Sequence, residues 1–203
     1  MRNFSFDLIM NNLQNYIESD RMKKGYIILI IIIATISNSF SQDINKKIQN
    51  NATNEEILIG LCNRQGLQSG EYAKWFGDEY GYYNYLMERI TLDSIKSITD
   101  SFQITIVMGT WCSDSKEQVP RFYCMLDYMK YNLKNLTLYC VDRNKKTMAN
   151  ETDNLQILKV PTIIFYYKGK EIGRIVETPV KSLEKDMLQI IRSVTLNKNG
   201  NGK

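Results

Sequence analysis

The sequence predicts an α/β fold: a central mixed β-sheet flanked on both faces by helices, behind an N-terminal helical, aromatic-rich extension. Three observations carry this. The runs Gln103–Met108, Leu136–Val141 and Ile163–Tyr167 are short, apolar and rich in β-branched residues, as buried strands are. Stretches with helical periodicity separate and follow them. Lys168-Gly169-Lys170 is a hairpin turn signal between Ile163–Tyr167 and Glu171–Val176. The predicted order is strand–helix–strand–helix, then strand–hairpin–strand–helix.

Taken in order, the chain opens with residues 1–41. An almost unbroken apolar run at 25–36 is preceded by Arg21, Lys23 and Lys24 and followed by Ser37, Asn38, Ser39 and Ser41. This is the layout of a secretory signal. The run is shorter than the roughly 20 apolar residues that span a bilayer. Residues 1–20 carry Asp7, Glu18 and Asp20 and do not fit such a signal, so the expected start is Met22. Cleavage after Ser41 then leaves 42–203 as an exported protein, periplasmic or secreted, without stable membrane insertion. If Met1 is the start, the run instead stays as an uncleaved signal-anchor.

Residues 42–54 are polar and read as a linker. Between 55 and 90 lies an aromatic cluster in which Tyr72, Trp75 and Phe76 share a helical face. It is read as cover over the sheet or an edge, with a substrate-groove wall as the alternative. Thr91 is the expected N-cap of a short helix carrying Leu92, Ile95 and Ile98. After Gln103–Met108, a helix is expected from Ser113 to Asn132, kinked by Pro120, which removes one backbone bond. Leu136–Val141 follows, closed by Asp142, and the polar stretch 143–155 is a connecting helix or loop. Thr178-Pro179 opens a last helix whose apolar face is Leu183, Met187, Leu188, Ile191 and Val194. The tail from Asn197 is expected to be frayed.

The formal net charge is only +4, and no basic stripe with interleaved aromatics occurs, so nucleic-acid binding has no support. His is absent, which removes the commonest general base and metal ligand. The four cysteines, Cys62, Cys112, Cys124 and Cys140, lack paired ligand spacing. No metal site is expected and no cofactor is called for. What remains is Trp111-Cys112-Ser113-Asp114-Ser115, between an apolar run and a helix. A cysteine there gains acidity from free N–H groups and the positive end of the helix dipole. A second cysteine three positions on would complete a dithiol site, and here that position is Ser115.

This pattern resembles the thioredoxin superfamily over roughly Ser94–Leu196, placing a thioredoxin-like domain at 91–196. Trp-Cys-x-x follows the central strand. Pro120 lies eight residues after Cys112, where thioredoxins carry their helix-kinking proline. Val160-Pro161-Thr162 matches the family's Ile/Val-Pro-Thr, whose proline is cis and faces the active-site cysteine. Gly169 sits in the hairpin turn that follows. Met108–Lys116 also looks like an exported bacterial branch with a Trp-Cys-x-Asp-Ser signature. The resemblance implies a thioredoxin fold, a reactive Cys112, and a substrate groove formed by Trp111, Val160, Pro161 and Thr162. Three departures are mutually consistent: the second cysteine is Ser115, the family's buried acid is Ile106, and its lysine partner is Leu138.

Helix-terminal N–H groups and the Ser115 hydroxyl are expected to stabilise a Cys112 thiolate, with Asp114 opposing and Lys116 offsetting. Such a thiolate can form a mixed disulfide. Release must then come from a second substrate thiol or a small external thiol, which suits isomerisation or the removal of mixed-disulfide caps. The partners would be protein or small-molecule thiols and disulfides. Cys124, twelve residues on in the same helix, is about 18 Å away, beyond the roughly 7 Å a disulfide spans. Cys140 reads as a core residue, Cys124 and Cys140 as either a structural disulfide or two free thiols, and Cys62 as a candidate resolving thiol. The competing reading is a redox-silent module that binds extended peptides at the Pro161 groove. A peroxiredoxin-type peroxidase fits poorly, because Thr110 is two residues before Cys112, where such enzymes place threonine three before.

Overall fold

The computed structural model describes residues 43–50, 53–79 and 82–199. The expected signal and start site lie outside these residues. Strands β1 (Lys46–Asn50) and β2 (Glu55–Cys62) come first, followed by the short helices α1 (Arg64–Leu67) and α2 (Tyr72–Lys74). A π-helical turn spans Trp75–Glu79, α3 is Arg89–Asp93, and a 3-10 turn Lys96–Ser101 leads into β3 (Phe102–Met108). Then come α4 (Ser113–Met129), β4 (Leu136–Cys140), β5 (Thr162–Tyr167), β6 (Lys170–Val176) and α5 (Leu183–Asn199).

The six strands lie in the order β1-β2-β4-β3-β5-β6. β3 and β4 run parallel, with Ile106 opposite Leu138, while β5 pairs antiparallel on the other side of β3, with Ile106 opposite Ile163. The hairpin between β5 and β6 turns on Lys168 and Gly169, both at positive φ (50° and 75°). Two such residues in sequence suit the twist of a tight hairpin.

Strand alternation sorts the core. Ile104, Ile106, Met108, Leu138, Cys140, Ile163 and Phe165 face the main core. α4 lays Val119, Phe122, Leu126 and Met129 on it, and α5 adds Leu183, Met187 and Ile191. Phe122 meets Phe165 edge-on at 6.0 Å. Pro120 is buried inside α4, which continues through to Met129.

Several expectations need correction. Residues 46–50, read as linker, form an edge strand whose partner is β2. Its exposed polar side chains look like a linker in sequence, yet an edge strand needs only backbone pairing. β2 in turn pairs with β4, so the sheet takes in residues 46–62 as well as 91–196. Every helix contributes its buried apolar side chains to the main core. The opposite face of the sheet carries the small Val107–Val141–Val160 cluster instead, against which Leu155 and Ile157 of the following loop pack. Among the described residues the α-helices thus lie on one face, and the 3-10 segment ending at Leu155 reaches the other. The short helix begins at Arg89, which puts Thr91 inside it. The last helix begins at Leu183, where Ser182 Oγ accepts from the Lys185 N–H at 3.2 Å. Asp186 reaches back to the N–H groups of Val180 and Lys181. Those bonds occupy the segment after Thr178-Pro179, and so the start shifts. The stretch 143–155 is turns with a 3-10 segment at Asp153–Leu155.

The aromatic cluster is core. Tyr72, Trp75 and Phe76 are buried. Phe76 stacks on Tyr82 at 5.6 Å and tilts against Tyr123 of α4 at 5.8 Å. Arg64 makes a bidentate pair with Asp127 (2.8 and 2.8 Å) and lies over the Tyr82 ring. Glu184, buried in α5, accepts from the Tyr85 hydroxyl at 2.8 Å and the Glu88 N–H at 3.2 Å. These polar clamps fix the segment against α4 and α5. Phe76→Ala is expected to cost about 3–5 kcal/mol in urea denaturation followed by circular dichroism. Leu86→Ala, at a side chain 96% exposed, should change stability by less than about 0.5 kcal/mol.

Candidate active site

β3 ends at Met108, and the next four residues turn the chain into α4. Each is held. The Gly109 carbonyl accepts from the Cys112 N–H at 2.9 Å, and the Gly109 N–H donates to Ser115 Oγ at 3.3 Å. Thr110 is buried, and its Oγ1 accepts from the Leu58 N–H of β2 at 3.3 Å. The Trp111 indole lies across Gly109 so closely that a Cβ there would come within 2.5 Å of it. Trp111 Nε1 donates to the Val141 carbonyl at 2.9 Å, and the Arg143 guanidinium sits 4.9 Å from the ring centre.

Cys112 occupies the N-cap position of α4 and makes no side-chain capping bond. It is half-buried and packs against Val107, Val141 and Val160. Its thiol donates to the Val160 carbonyl at 3.2 Å. The Val160–Pro161 bond is cis, as the motif implied. Around it, Thr162 Oγ1 donates to the Lys159 carbonyl at 2.7 Å, and the Pro161 carbonyl accepts from the Glu177 N–H at 2.7 Å. Lys159 pairs with Glu177 at 2.6 Å. That hydrogen bond raises the Lys159 ammonium above its ordinary range, and the nearby Asp114 carboxylate adds to it.

Of the residues expected at the site, Trp111, Cys112, Val160 and Pro161 come together. Ser115 and Thr162 take other tasks. Ser115 is fully buried, and its hydroxyl braces Gly109 while the Cys112 thiol turns to Val160. Thr162 is buried and braces the loop. Val160 is only 4% exposed, so its backbone is less open to a substrate strand than expected. Sequence reasoning misses Gly109, Thr110 and Arg143. Gly109 and Thr110 stand inside the motif, but Arg143 and its stacking on Trp111 leave no local signal.

The cysteines are all free. Cys62 and Cys140 belong to the core on the helix side of the sheet, whereas Cys112 packs on the opposite face. Cys62, a candidate resolving thiol by sequence, is therefore a neighbour of Cys140. Cys124 is half-buried in α4, and burial pushes its thiol up. Among the described residues no group of three His, Cys, Asp or Glu side chains could hold a metal ion. Nor is any described helix long and apolar enough to cross a membrane.

Comparison with known proteins agrees with this architecture. The chain is 30% identical over 80 residues to a thioredoxin-like protein of Acanthamoeba polyphaga mimivirus, covering 39% of this chain and 56% of that protein. It is 24% identical over 102 residues to mitochondrial thioredoxin O of Oryza sativa subsp. japonica, covering 50% and 53%. The architecture, a mixed sheet with flanking helices, is thioredoxin-like, in keeping with these two relatives. The chain spans about half the length of the curated relatives it matches. No family model matches it. Among solved thioredoxins, that of Malassezia sympodialis is 23% identical, covering 49% of this chain and 85% of its own, with a TM-score of 0.33.

The close approach of Trp111 to Gly109 gives the geometry of this turn a direct test. Gly109→Ala is expected to lose about 1–3 kcal/mol through overpacking and to displace the indole, giving a red-shifted tryptophan emission. Unchanged stability and emission would show that Trp111 is not held against Gly109.

Proposed function

We propose that this protein catalyses thiol–disulfide exchange through the single site thiol of Cys112, as an isomerase or a reductase of mixed disulfides, and that it works outside the cytosol after removal of its signal segment. One observation supports the reading above the rest. Cys112 stands at the head of a 17-residue helix, half-buried against the Val160–Pro161 loop, while the position one turn on is a buried serine.

The chemistry follows from that arrangement. Ionisation of Cys112 breaks its hydrogen bond to the Val160 carbonyl and leaves the sulfur anion before the free N–H groups of α4. The thiolate attacks one sulfur of a substrate disulfide. A Cys112–substrate S–S bond forms, the substrate S–S bond breaks, and the departing thiolate takes up a proton. A second thiol, from the substrate or a small molecule, then attacks the mixed disulfide. It forms a new disulfide with the substrate sulfur and frees the Cys112 thiol. Electrons balance without any change in the oxidation state of the protein, so no partner cysteine is needed.

The peptide-binding alternative asks the backbone of Val160 to pair with a substrate strand. With Val160 buried and its carbonyl engaged by the thiol, the reactive reading is favoured.

Treatment of the purified protein with a small disulfide near neutral pH should place an adduct on Cys112, read by mass spectrometry of unreduced peptides. Cys112→Ser should lose that adduct along with covalent capture of partners. A folded protein whose Cys112 never reacts would sink the proposal, and partner capture that survives Cys112→Ser would favour the binding module. Ser115→Cys should convert the site to a dithiol, in which Cys112 closes an internal disulfide with the introduced thiol on mild oxidation. If that variant gains no net disulfide-reductase activity, the serine is not what limits the site to exchange.

A further inference from the structure

We propose that Arg143 sets the substrate class of the Cys112 site: disulfides that carry a carboxylate close to the attacked sulfur, the acid being held by the guanidinium beside Trp111. The inference rests on the reactivity of Cys112 proposed above and names the chemistry it selects.

Arg143 is placed by the end of β4. The carbonyl of Val141 takes the Trp111 indole N–H at 2.9 Å. Asp142 then locks the turn that follows. Its carboxylate accepts from the N–H groups of Asn144 and Lys146, each at 2.9 Å, and its own N–H donates to the Lys146 carbonyl at 3.0 Å. Arg143 leaves this braced turn with its guanidinium 4.9 Å from the centre of the Trp111 ring. A surface arginine ordinarily loses much rotamer freedom on gripping a ligand. Here the turn and the ring have already restricted it, so less is lost on binding.

The fork of the guanidinium is open. Among the described residues its one hydrogen bond runs to Glu55 at 3.4 Å, between side chains 48% and 36% exposed. That distance lies beyond the usual range for N–H···O bonds, and so exposed a pair holds weakly. Arginine has five N–H donors in one plane. Contact of its face with an indole leaves the edge that takes a carboxylate through two parallel bonds.

Trp111 ties this cation to the reacting sulfur. Trp111 and Cys112 are consecutive, and both pack on the Val107–Val141–Val160 cluster. The guanidinium therefore lies over the side chain next to the thiol. The other charges nearby do not supply the same preference. Lys159 is occupied by Glu177 at 2.6 Å. Asp114 and Lys116, both within the first four residues of α4, carry opposite signs. A complementary charge of this kind acts on selectivity and on the rate of encounter. The covalent step stays that of Cys112. Its thiolate bonds to one sulfur of the disulfide, the S–S bond breaks, and the departing thiolate takes up the proton that Cys112 lost. Arg143 exchanges neither electron nor proton.

The test uses the full chain and three short disulfides that differ in charge: dithiodipropionate, hydroxyethyl disulfide and cystamine. The rate of adduct formation on Cys112 is followed by mass spectrometry. Arg143→Gln should lower the rate with dithiodipropionate, relative to hydroxyethyl disulfide, by about three- to fivefold. The rate with hydroxyethyl disulfide itself should hold. Arg143→Glu should turn the preference toward cystamine. In the wild-type chain, raising the salt to about 1 M, where the Debye length is about 3 Å, should erase the preference for the acid, a measurement that needs no variant. An equal fall with all three probes would show that Arg143 only supports Trp111, and would overturn the proposal. Unchanged ratios in both variants would overturn it as well, while adducts that still form on Cys112 would leave the exchange reading standing. A Cys112 that reacts with none of the three would sink both.

Discussion

The site depends on β3 being hydrogen-bonded along both edges. Its parallel partner β4 delivers Val141 beside Met108, and its antiparallel partner β5 delivers Thr162 opposite Val107. These two neighbours carry the groups that close on the turn between β3 and α4. The Val141 carbonyl takes the Trp111 indole N–H, and the loop before Thr162 brings the Val160 carbonyl to the Cys112 thiol. Loss of register on either side would move one of these acceptors by a strand residue, about 3.3 Å, more than a hydrogen bond tolerates. The geometry at Cys112 is thus a property of the sheet and not of the five-residue motif alone.

Beneath that motif the sheet is apolar. Ile106 and Leu138 are direct partners across β3 and β4, and both are buried. As partners, two apolar side chains leave no buried charge uncompensated. A single buried charge in place of either would face a hydrocarbon neighbour and carry a desolvation penalty with nothing to offset it. Ser115 belongs to the same arrangement. Its hydroxyl satisfies the Gly109 N–H inside the turn, a task that keeps the strand–helix junction closed and needs no charge nearby.

Legibility followed the range of the interactions. β3, α4, β4 and the β5–β6 hairpin were readable because their signals are local: β-branched runs, a helical face, and a turn with a glycine at positive φ. Pro161 was readable through its Val-Pro-Thr context. β1 was not, because Lys46, Lys47 and Gln49 present polar side chains to solvent and only pairing with β2 makes them a strand. The helix start after Thr178-Pro179 was misplaced because Asp186, six residues beyond Val180, captures the N–H groups that a nearer cap would have taken. Arg143 stacking on Trp111, and Cys62 meeting Cys140, join residues distant in sequence through the β2–β4–β3 order, which no local pattern encodes.

The same strand order separates the thiols chemically. Alternation places Cys62 and Cys140 on the helix-covered face, while Cys112 sits with Val107, Val141 and Val160 on the loop-covered one. A disulfide between the two groups would have to pass through a hydrogen-bonded sheet, which chain closure cannot achieve without unpairing strands. Cys124 is kept from Cys112 by the length of α4. Each cysteine neighbourhood is therefore limited to what its own face supplies. A chain with four cysteines and no internal partner for its site thiol is a physical consequence of where β2 docks.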